Sequence, residues 1–327
     1  MRILVTGGAG YIGSITAEHL LDKGHEVMVL DNLSTGHRAA VPDAAEFVEG
    51  GIADQALVLD IVQRYQPEVV LHFAAFSLVG ESMKQPGRYF ENNTIGTLLL
   101  LKSLLQGGVR KFVLSSTAAL FGTPERVPID ESAPIQPASV YGESKYLIER
   151  ALEWYRQTHG LGYTTLRYFN AAGASEQLGE DHNPETHLIP IILDVAAGNR
   201  EAVQVFGDDY PTPDGTCIRD YIDVRDLARA HQLAATALEA GTGNAYNLGS
   251  GKGFSVKEVV EVCRQVTGAD IPVHVTGRRP GDPAVLVADS TKISHELGWH
   301  RQHRNLEDTV ESAWLWKVSH PTGYDAG

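Results

Sequence analysis

Residues 7–13 read Gly-Gly-Ala-Gly-Tyr-Ile-Gly, directly after the short apolar run Arg2–Thr6 (RILVT) and at the start of a helical spacing over Ile12–Lys23. No other stretch constrains the fold so tightly. Gly7, Gly10 and Gly13 satisfy G-x-x-G-x-x-G, and Gly8, Gly10 and Gly13 satisfy G-x-G-x-x-G. A tight turn wants a residue that tolerates positive φ. A backbone passing beneath a phosphate group cannot carry a Cβ, and a helix pressed on a strand wants no side chain at the crossing. The helix N-terminus then presents free N–H groups and partial positive charge. In the helix, Ile12, Ile15, His19 and Leu20 are expected to face inward, with Gly24 as the C-cap.

The next apolar run, Glu26–Leu30 (EVMVL), is followed by Asp31, 18 residues after Gly13. A carboxylate there can bind the ribose hydroxyls of an adenosine and would repel a 2′-phosphate, which favours NAD over NADP. The alternation continues with a strand at Glu46–Val48, a helix at Gln55–Tyr65, a strand at Val69–Phe73, one long helix over Gly87–Gln106 and a strand at Lys111–Ser115. Nearly all-apolar strands separated by helices indicate a parallel sheet covered on both faces. Val140–Thr158 reads as a helix and Gly162–Tyr168 as another strand. Beyond Asn170 the chain turns polar, and glycine and proline cluster at Gly207–Gly215 and Thr276–Pro283. The expected class is α/β: a doubly wound parallel (Rossmann) sheet over residues 1–169, joined by about 221–250. Residues 170–220 and 251–327 would form a smaller substrate lobe.

The 327 residues suffice for such a unit and a second lobe, and 43% hydrophobic with 21% charged residues is ordinary for a globular chain. A net charge of −14 makes nucleic acid or an anionic membrane a poor partner, and demands local basic residues wherever a phosphate is to bind. Two cysteines, Cys217 and Cys263, make a disulfide framework implausible and read as packed thiols. No apolar run reaches the ~20 residues of a membrane span, and Met1–Thr6 breaks into glycines rather than extending as a leader; the cytoplasm is the expected location.

Tyr141 and Lys145, in Tyr-Gly-Glu-Ser-Lys, stand one helical turn apart on one face. A phenol of pKa near ~10 is a poor base at neutral pH. A neighbouring ammonium and the positive ring of oxidised NAD favour its phenolate, so the pair can exchange a proton with an alcohol during hydride transfer. Ser115, Ser116 and Thr117 fall at the C-terminal end of a predicted strand, the edge at which doubly wound sheets hold ligands. A hydroxyl there can bond an oxygen that changes from alcohol to ketone.

With these elements together the chain resembles the extended short-chain dehydrogenase/reductase family and, in detail, its UDP-glucose 4-epimerase (UDP-galactose 4-epimerase) branch. The similarity runs from Met1 to about Asn305. It is carried by GGAGYIGS at 7–14, DNLS at 31–34, HFAAFSLVGES at 72–82, ENNTIGT at 91–97, SSTAALFG at 115–122, YGESK at 141–145 and RYFNAAGA at 167–174. HLIP at 187–190, YNLGSG at 246–251 and RRPGDPAVLVAD at 278–289 add to it. The stretch from FGDDYPT to RDYI, within 206–222, is more specific than the glycine loop.

The resemblance implies that Tyr141 takes the proton from a sugar 4-hydroxyl, with Thr117 on the same oxygen and Lys145 beside it, while C4 gives hydride to a tightly held NAD. A flat 4-keto sugar would swing over, tethered by its UDP, and be reduced on its other face. By resemblance, Gly7, Gly10, Tyr11, Ile12, Gly13, Asp31, Asn32, Leu33, Ser34, Thr35, Gly36, Ile52, Phe73, Ala74, Ala75, Ser77, Asn92, Ser115, Tyr141, Lys145 and Phe169 fall at cofactor positions. Thr117, Tyr141, Asn170, His187, Leu188, Gln204, Val205, Phe206, Arg219, Arg279, Asp282 and Leu286 fall at substrate positions. Arg219 and Arg279 are the local basic groups that the acidic net charge demands. A homodimer through the helices at 87–106 and 140–158 is implied in the same way.

Three departures from the family pattern stand out. Gly51 offers no carboxylate to the adenine amino group, Ser77 replaces a lysine, and Leu286 replaces a bulky tyrosine beside the hexose, which suggests room for N-acetylated sugars. A 4,6-dehydratase would need an acid and a base beside Thr117, where Ala118 and Ala119 stand. A 4-epimerase of UDP-N-acetylglucosamine, a UDP-pentose or UDP-glucuronate remains an alternative. A non-catalytic NAD-sensing regulator would have no use for the full Thr117, Tyr141 and Lys145 set. His182 and His187 flank Glu185, but this spacing does not read as a metal cage, and the expected chemistry needs no metal. His300 and His303 read as solvated surface.

Overall fold

The computed structural model describes residues 1–279 and 281–325. Pro280, inside the expected substrate stretch 279–282, and residues 326–327 of the expected second lobe lie outside them. The first half runs β1 (Arg2–Thr6), α1 (Tyr11–Asp22), β2 (Glu26–Asp31), β3 (Glu46–Glu49), α2 (Gln55–Tyr65) and β4 (Val69–His72). The short turns α3 (Val79–Ser82) and α4 (Pro86–Tyr89) follow, then α5 (Gly96–Gln106), β5 (Lys111–Thr117), α6 (Val140–His159) and β6 (Gly162–Tyr168).

The second half runs β7 (Asn170–Ala172), α7 (Leu188–Ala196), β8 (Val203–Phe206), β9 (Ile218–Asp223), α8 (Val224–Ala237), β10 (Gly243–Leu248) and β11 (Gly253–Ser255). It ends with α9 (Val256–Thr267), β12 (Val273–Thr276), β13 (Val285–Leu286), α10 (Thr291–Leu297) and α11 (Leu306–Ser319).

Seven strands form one sheet in the order β10-β6-β5-β4-β1-β2-β3, and every pair in it is parallel. Period-2 alternation divides the core. Ile3, Val5, Val27, Val29, Val69 and Leu71 face the side covered by α1 and α8. Leu4, Met28, Leu30, Val70, Phe112 and Leu114 face the side covered by α2, α5 and α6. The strand order reverses between β1 and β4, the switch point at which open parallel sheets bind ligands. The remaining strands make two small sheets. In one, β9 pairs with β7, β11 and β13; in the other, β8 pairs with β12. Ile293 and Trp299, late in the chain, pack back into the core of the main sheet.

The sequence reads 87–106 as one helix, whereas the structure breaks it. A wider π turn over Phe90–Ile95 separates α4 from α5. The cause is Asn93, fully buried in that turn. Its amide brackets Phe76, accepting from Phe76 N at 2.9 Å and donating to Phe76 O at 3.0 Å, and it also donates to Ser144 Oγ at 3.1 Å. π turns of this kind cluster at functional sites. His303 also differs from expectation. It is half-buried, with Nδ1 3.6 Å from an Asp226 carboxylate oxygen, because Asp226 fastens the 302–303 backbone.

Beneath the switch point His72 is buried, with Nδ1 2.7 Å from Thr6 Oγ1 and Nε2 2.8 Å from Thr97 Oγ1. Thr97 gives its own proton to Asn93 O. His72 Nε2–H therefore donates to Thr97, and Nδ1 accepts from Thr6. Burial, reinforced by the Lys145 charge, pushes the ring's pKa down to about 3. A folded pKa below the unfolded value near ~6.5 means stability present above that value and lost as pH falls towards 3. Between pH 7 and pH 5 the wild type should lose about 2 kcal/mol of unfolding free energy through this group. Urea unfolding of the wild type and His72→Gln at both pH values measures it: the pH-induced loss should be smaller in the variant by about that amount.

Candidate active site

The glycine loop follows β1 and meets the end of β4. Gly7 has φ 76°, and a Cβ there would lie 2.4 Å from Ala74 N. A Cβ on Gly13 would lie 2.2 Å from Gly7 O, so α1 seats on the loop only without a side chain. At Gly10 the nearest atom to a Cβ would be 3.5 Å away, so the loop's top stands clear. Gly10 is the N-cap of α1 and no side chain caps the helix, which leaves first-turn N–H groups for an anion.

The Asp31 carboxylate accepts from Ala9 N at 3.0 Å and from Leu33 N at 2.9 Å, one bond per oxygen. Each oxygen keeps a lone pair for a ribose hydroxyl. Gly36 closes over Ala9, where a Cβ would sit 2.8 Å from the backbone, and Leu33 turns the stretch through φ 55°. An open anion-binding helix start, a cradle that Cβ atoms would fill and a carboxylate at the strand end fit NAD. The same end of the sheet holds Phe73, Ala74 and Ala75, half-buried, and Ser77, exposed. A Cβ at Gly51 would meet nothing within 4 Å, so the space left by its missing carboxylate is open.

Across the switch point, β5 ends at Thr117 and α6 begins beside it. The Ser139 hydroxyl caps α6 by accepting from Gly142 N at 3.1 Å. A Cβ at Gly142 would stand 2.5 Å from Ala119 O, so glycine lets the helix start press against the turn after β5. Tyr141 N donates to Ser82 Oγ at 3.1 Å. The result places the Thr117 side chain beside the Tyr141 phenol, near enough to act on its pKa. Thr117 Oγ1 accepts from Ala119 N at 3.1 Å, which leaves its own proton to donate.

Burial raises the Tyr141 pKa, and the neighbouring Thr117 hydroxyl pulls it back. Lys145 is buried one turn on, and its Nζ donates to Ser115 O at 2.9 Å. Burial lowers its pKa to about 8, opposed by the Glu149 carboxylate, so the ammonium persists at pH 7. Glu149 is itself held by Arg167 Nη2 at 2.6 Å and by Ser116 Oγ at 2.6 Å. Ser115 Oγ bonds the Tyr168 hydroxyl, whose pKa burial raises. The chain thus holds a half-buried phenol, an alcohol and a buried ammonium at one strand end, while the charge that would acidify the phenol is left to a bound ligand.

Phe169, expected on the cofactor, and Leu286, expected on the substrate, share one apolar cluster with Ala118 and Phe121. Leu286 is in register with Arg219 of β9. Arg219 is ion-paired with Asp282 and donates to Ile218 O, so its charge is partly engaged. Arg279 stands over the Phe206 ring, 3.8 Å from its centroid, at the end of β8, which carries Gln204 and Val205. Asn170 Nδ2 donates to Asp220 O at 2.9 Å. His187 precedes α7 and turns Nδ1 towards Glu180 and Glu185. Burial raises both thiol pKa values, that of Cys263 to about 12, which makes them inert.

The positioning residues Gly142, Ser139, Ser82, Asn93 and Glu149 are missing from the sequence reading. Gly142 and Glu149 lie in and just after the Tyr-x-x-x-Lys helix start, but their roles depend on contacts with β5 and the turn after it.

A family model, the NAD dependent epimerase/dehydratase family, matches residues 3–249. A UDP-glucose 4-epimerase of Halalkalibacterium halodurans is 55% identical over 327 residues, covering 99% of this chain and 98% of its own. A crystal structure of UDP-glucose 4-epimerase from Brucella ovis in complex with NAD superposes with TM-score 0.92 at 45% identity, covering 96% of this chain and 97% of its own. The UDP-Glc/GlcNAc 4-epimerase of Campylobacter jejuni superposes with TM-score 0.85 at 41% identity, covering 97% of this chain and 99% of its own. With the cleft, the glycine cradle and the phenol–lysine pair in place, the chain belongs to the NAD-dependent epimerase/dehydratase family.

Proposed function

We propose that this chain interconverts UDP-glucose and UDP-galactose by NAD-dependent inversion at C4 of the hexose, through a transient 4-keto sugar. The observation that carries this reading is the gathering of Thr117 and Tyr141 at the C-terminal end of β5, with Lys145 buried one turn along α6 and bonded to Ser115 O. Bound NAD accepts the hydride from C4 and returns it, so no net oxidation occurs. Tyr141 takes the proton of the 4-hydroxyl as that carbon becomes a ketone and gives it back afterwards. Thr117 bonds the same oxygen throughout. Lys145 anchors α6 to β5 through its bond to Ser115 O.

Residues 1–169 with about 221–250 carry NAD: Gly7, Gly10, Tyr11, Ile12 and Gly13 at the pyrophosphate, and Asp31 to Gly36 at the ribose. Ile52, Phe73, Ala74, Ala75, Ser77, Asn92, Ser115 and Phe169 complete that side. Residues 170–220 and 251–327 grip UDP through Arg219, Arg279, Asp282, Asn170, Leu188 and Gln204 to Phe206, and leave the hexose loose against Leu286. A firm hold on UDP and a weak one on the sugar is what a rotating keto intermediate requires.

Among the described residues no helix is long and apolar enough to cross a membrane, and we place the enzyme in the cytoplasm. Ile95 and Trp154, 51% and 62% exposed, lie on the two helical segments implied in dimerisation, which supports a homodimer through that face.

Incubating the protein with UDP-galactose should yield UDP-glucose. Tyr141→Phe should cut kcat by at least about 100-fold while NAD content stays at the wild-type level; an unchanged kcat would remove Tyr141 from the chemistry. A second substrate is favoured by Leu286, which leaves more room than a tyrosine. UDP-N-acetylglucosamine should turn over within about tenfold of UDP-glucose, and Leu286→Tyr should depress the N-acetyl activity selectively; no detectable N-acetyl turnover would sink this part. Gly51→Asp should tighten NAD retention by about tenfold, one charge-assisted hydrogen bond's worth, measured as the rate of cofactor loss on dilution.

A further inference from the structure

The segment between β7 and α7 gathers Glu180, His182, Glu185 and His187, with one ligand atom from each lying within 4.8 Å of the others. Glu180 Oε1 is 3.0 Å from His182 Nδ1 and 2.8 Å from His187 Nδ1. Glu185 Oε1 is 3.0 Å from His187 Nδ1, and its Oε2 is 3.7 Å from His182 Nδ1. The carboxylates are only 8% and 10% exposed. Two buried anions side by side require positive charge between them.

Two arrangements balance that charge. Protonated imidazoles do so in pairs; a divalent cation does so with both rings neutral. The geometry points to the second. Two separate ion pairs would match each ring to its own carboxylate, but each Nδ1 here faces both carboxylates around one centre. In a tetrahedral site with ligand bonds of about 2.0–2.2 Å, neighbouring ligand atoms stand about 3.3 Å apart. Three of the four nitrogen–oxygen separations, 2.8 to 3.0 Å, are hydrogen-bond lengths and the fourth is 3.7 Å, so a cation would enter with small outward shifts of the ligand atoms. The Glu185 carboxylate is oriented in advance, Oε1 accepting from Thr186 N and His187 N at 2.7 Å each. A cavity of about 80 Å³, lined by Glu180, His182 and Glu185, opens onto the cluster. Two imidazoles with two carboxylates suit a zinc-class cation, whereas magnesium and calcium favour oxygen-only sets.

We propose that Glu180, His182, Glu185 and His187 bind one divalent transition-metal cation of the zinc class, which staples this segment against the glycine loop. The segment is already tied there. The Tyr11 hydroxyl donates to Gly173 O at 2.6 Å, and the Tyr11 ring meets the His182 ring edge-on at 6.2 Å. Asp181 O lies 3.0 Å from His37 Nε2, and Asp181 Oδ2 accepts from Tyr324 N at 2.9 Å. The cation's role is structural: it fixes the crossing between the first turn of α1 and the substrate lobe. His187 then serves the cation rather than the sugar nucleotide.

The test uses the NAD-bound enzyme, stripped with EDTA and freed of chelator. Zinc should bind at one equivalent per chain by elemental analysis and raise Tm by about 3 °C or more. Cobalt(II), as the spectroscopic probe, should show the strong visible d–d absorption of a tetrahedral site. Glu180→Gln and His182→Gln should each weaken cobalt binding by more than about 100-fold. Substoichiometric metal, a weak octahedral cobalt spectrum in the wild type, or variants that bind as well as the wild type would overturn the proposal. The wild-type spectrum decides the matter even if a variant fails to fold.

Discussion

Backbone pressed on backbone where β1 and β4 diverge is the contact on which the rest of this molecule depends. Gly7 and Ala74 come so close that no side chain fits at position 7, and the two chain directions part above them. The gap so opened is walled by strand ends, floored by a glycine turn and faced by an uncapped helix start. A ligand with a pyrophosphate therefore meets fixed N–H dipoles rather than flexible side chains, and the −14 charge of the chain is overcome locally without a lysine in the loop.

From that junction a buried polar chain runs to α6, which carries Tyr141 and Lys145. Thr6 bonds His72, His72 bonds Thr97, Thr97 bonds Asn93 O, and Asn93 reaches Phe76 and Ser144 of α6. Each member's hydrogen bonds are met by the next, so the network specifies one arrangement instead of leaving polar groups stranded. The π turn is the local distortion that puts Asn93 in this position. Together with the Gly142–Ala119 approach, the network sets Tyr141 against Thr117 and holds Lys145 under β5. Burial then works against ionisation of the phenol. A proton acceptor that is reluctant until a positively charged ring arrives is suited to a cycle that must not release its oxidised sugar half-way.

The substrate side follows a different logic. Arg219 is already engaged with Asp282, and Arg279 with the face of Phe206. A guanidinium has five donors, so a diphosphate can share it or displace the carboxylate. On the proposed reading this gives a grip that forms on binding, while the apolar cluster of Leu286, Phe121 and Ala118 offers little polarity to hold a sugar in one orientation.

Local pattern made most of this legible. The glycine spacing, the apolar strands, Asp31 and the Tyr141–Lys145 turn each depend on residues a few positions apart, and the sheet and cofactor class follow from them. The motifs beyond Asn170, similar to those of a known family, pointed to the sugar nucleotide. What the sequence could not supply were relations between distant segments. The break at Asn93 rests on Phe76 and Ser144, 17 and 51 residues away, and Gly142 gains its meaning only from Ala119. Glu180 joins His182 and His187 through a fold in the loop rather than a regular spacing. Periodicity reports which face of an element is apolar; which buried polar atoms share a partner is decided only when the elements pack, because hydrogen bonds act over about 3 Å of space whatever the separation along the chain.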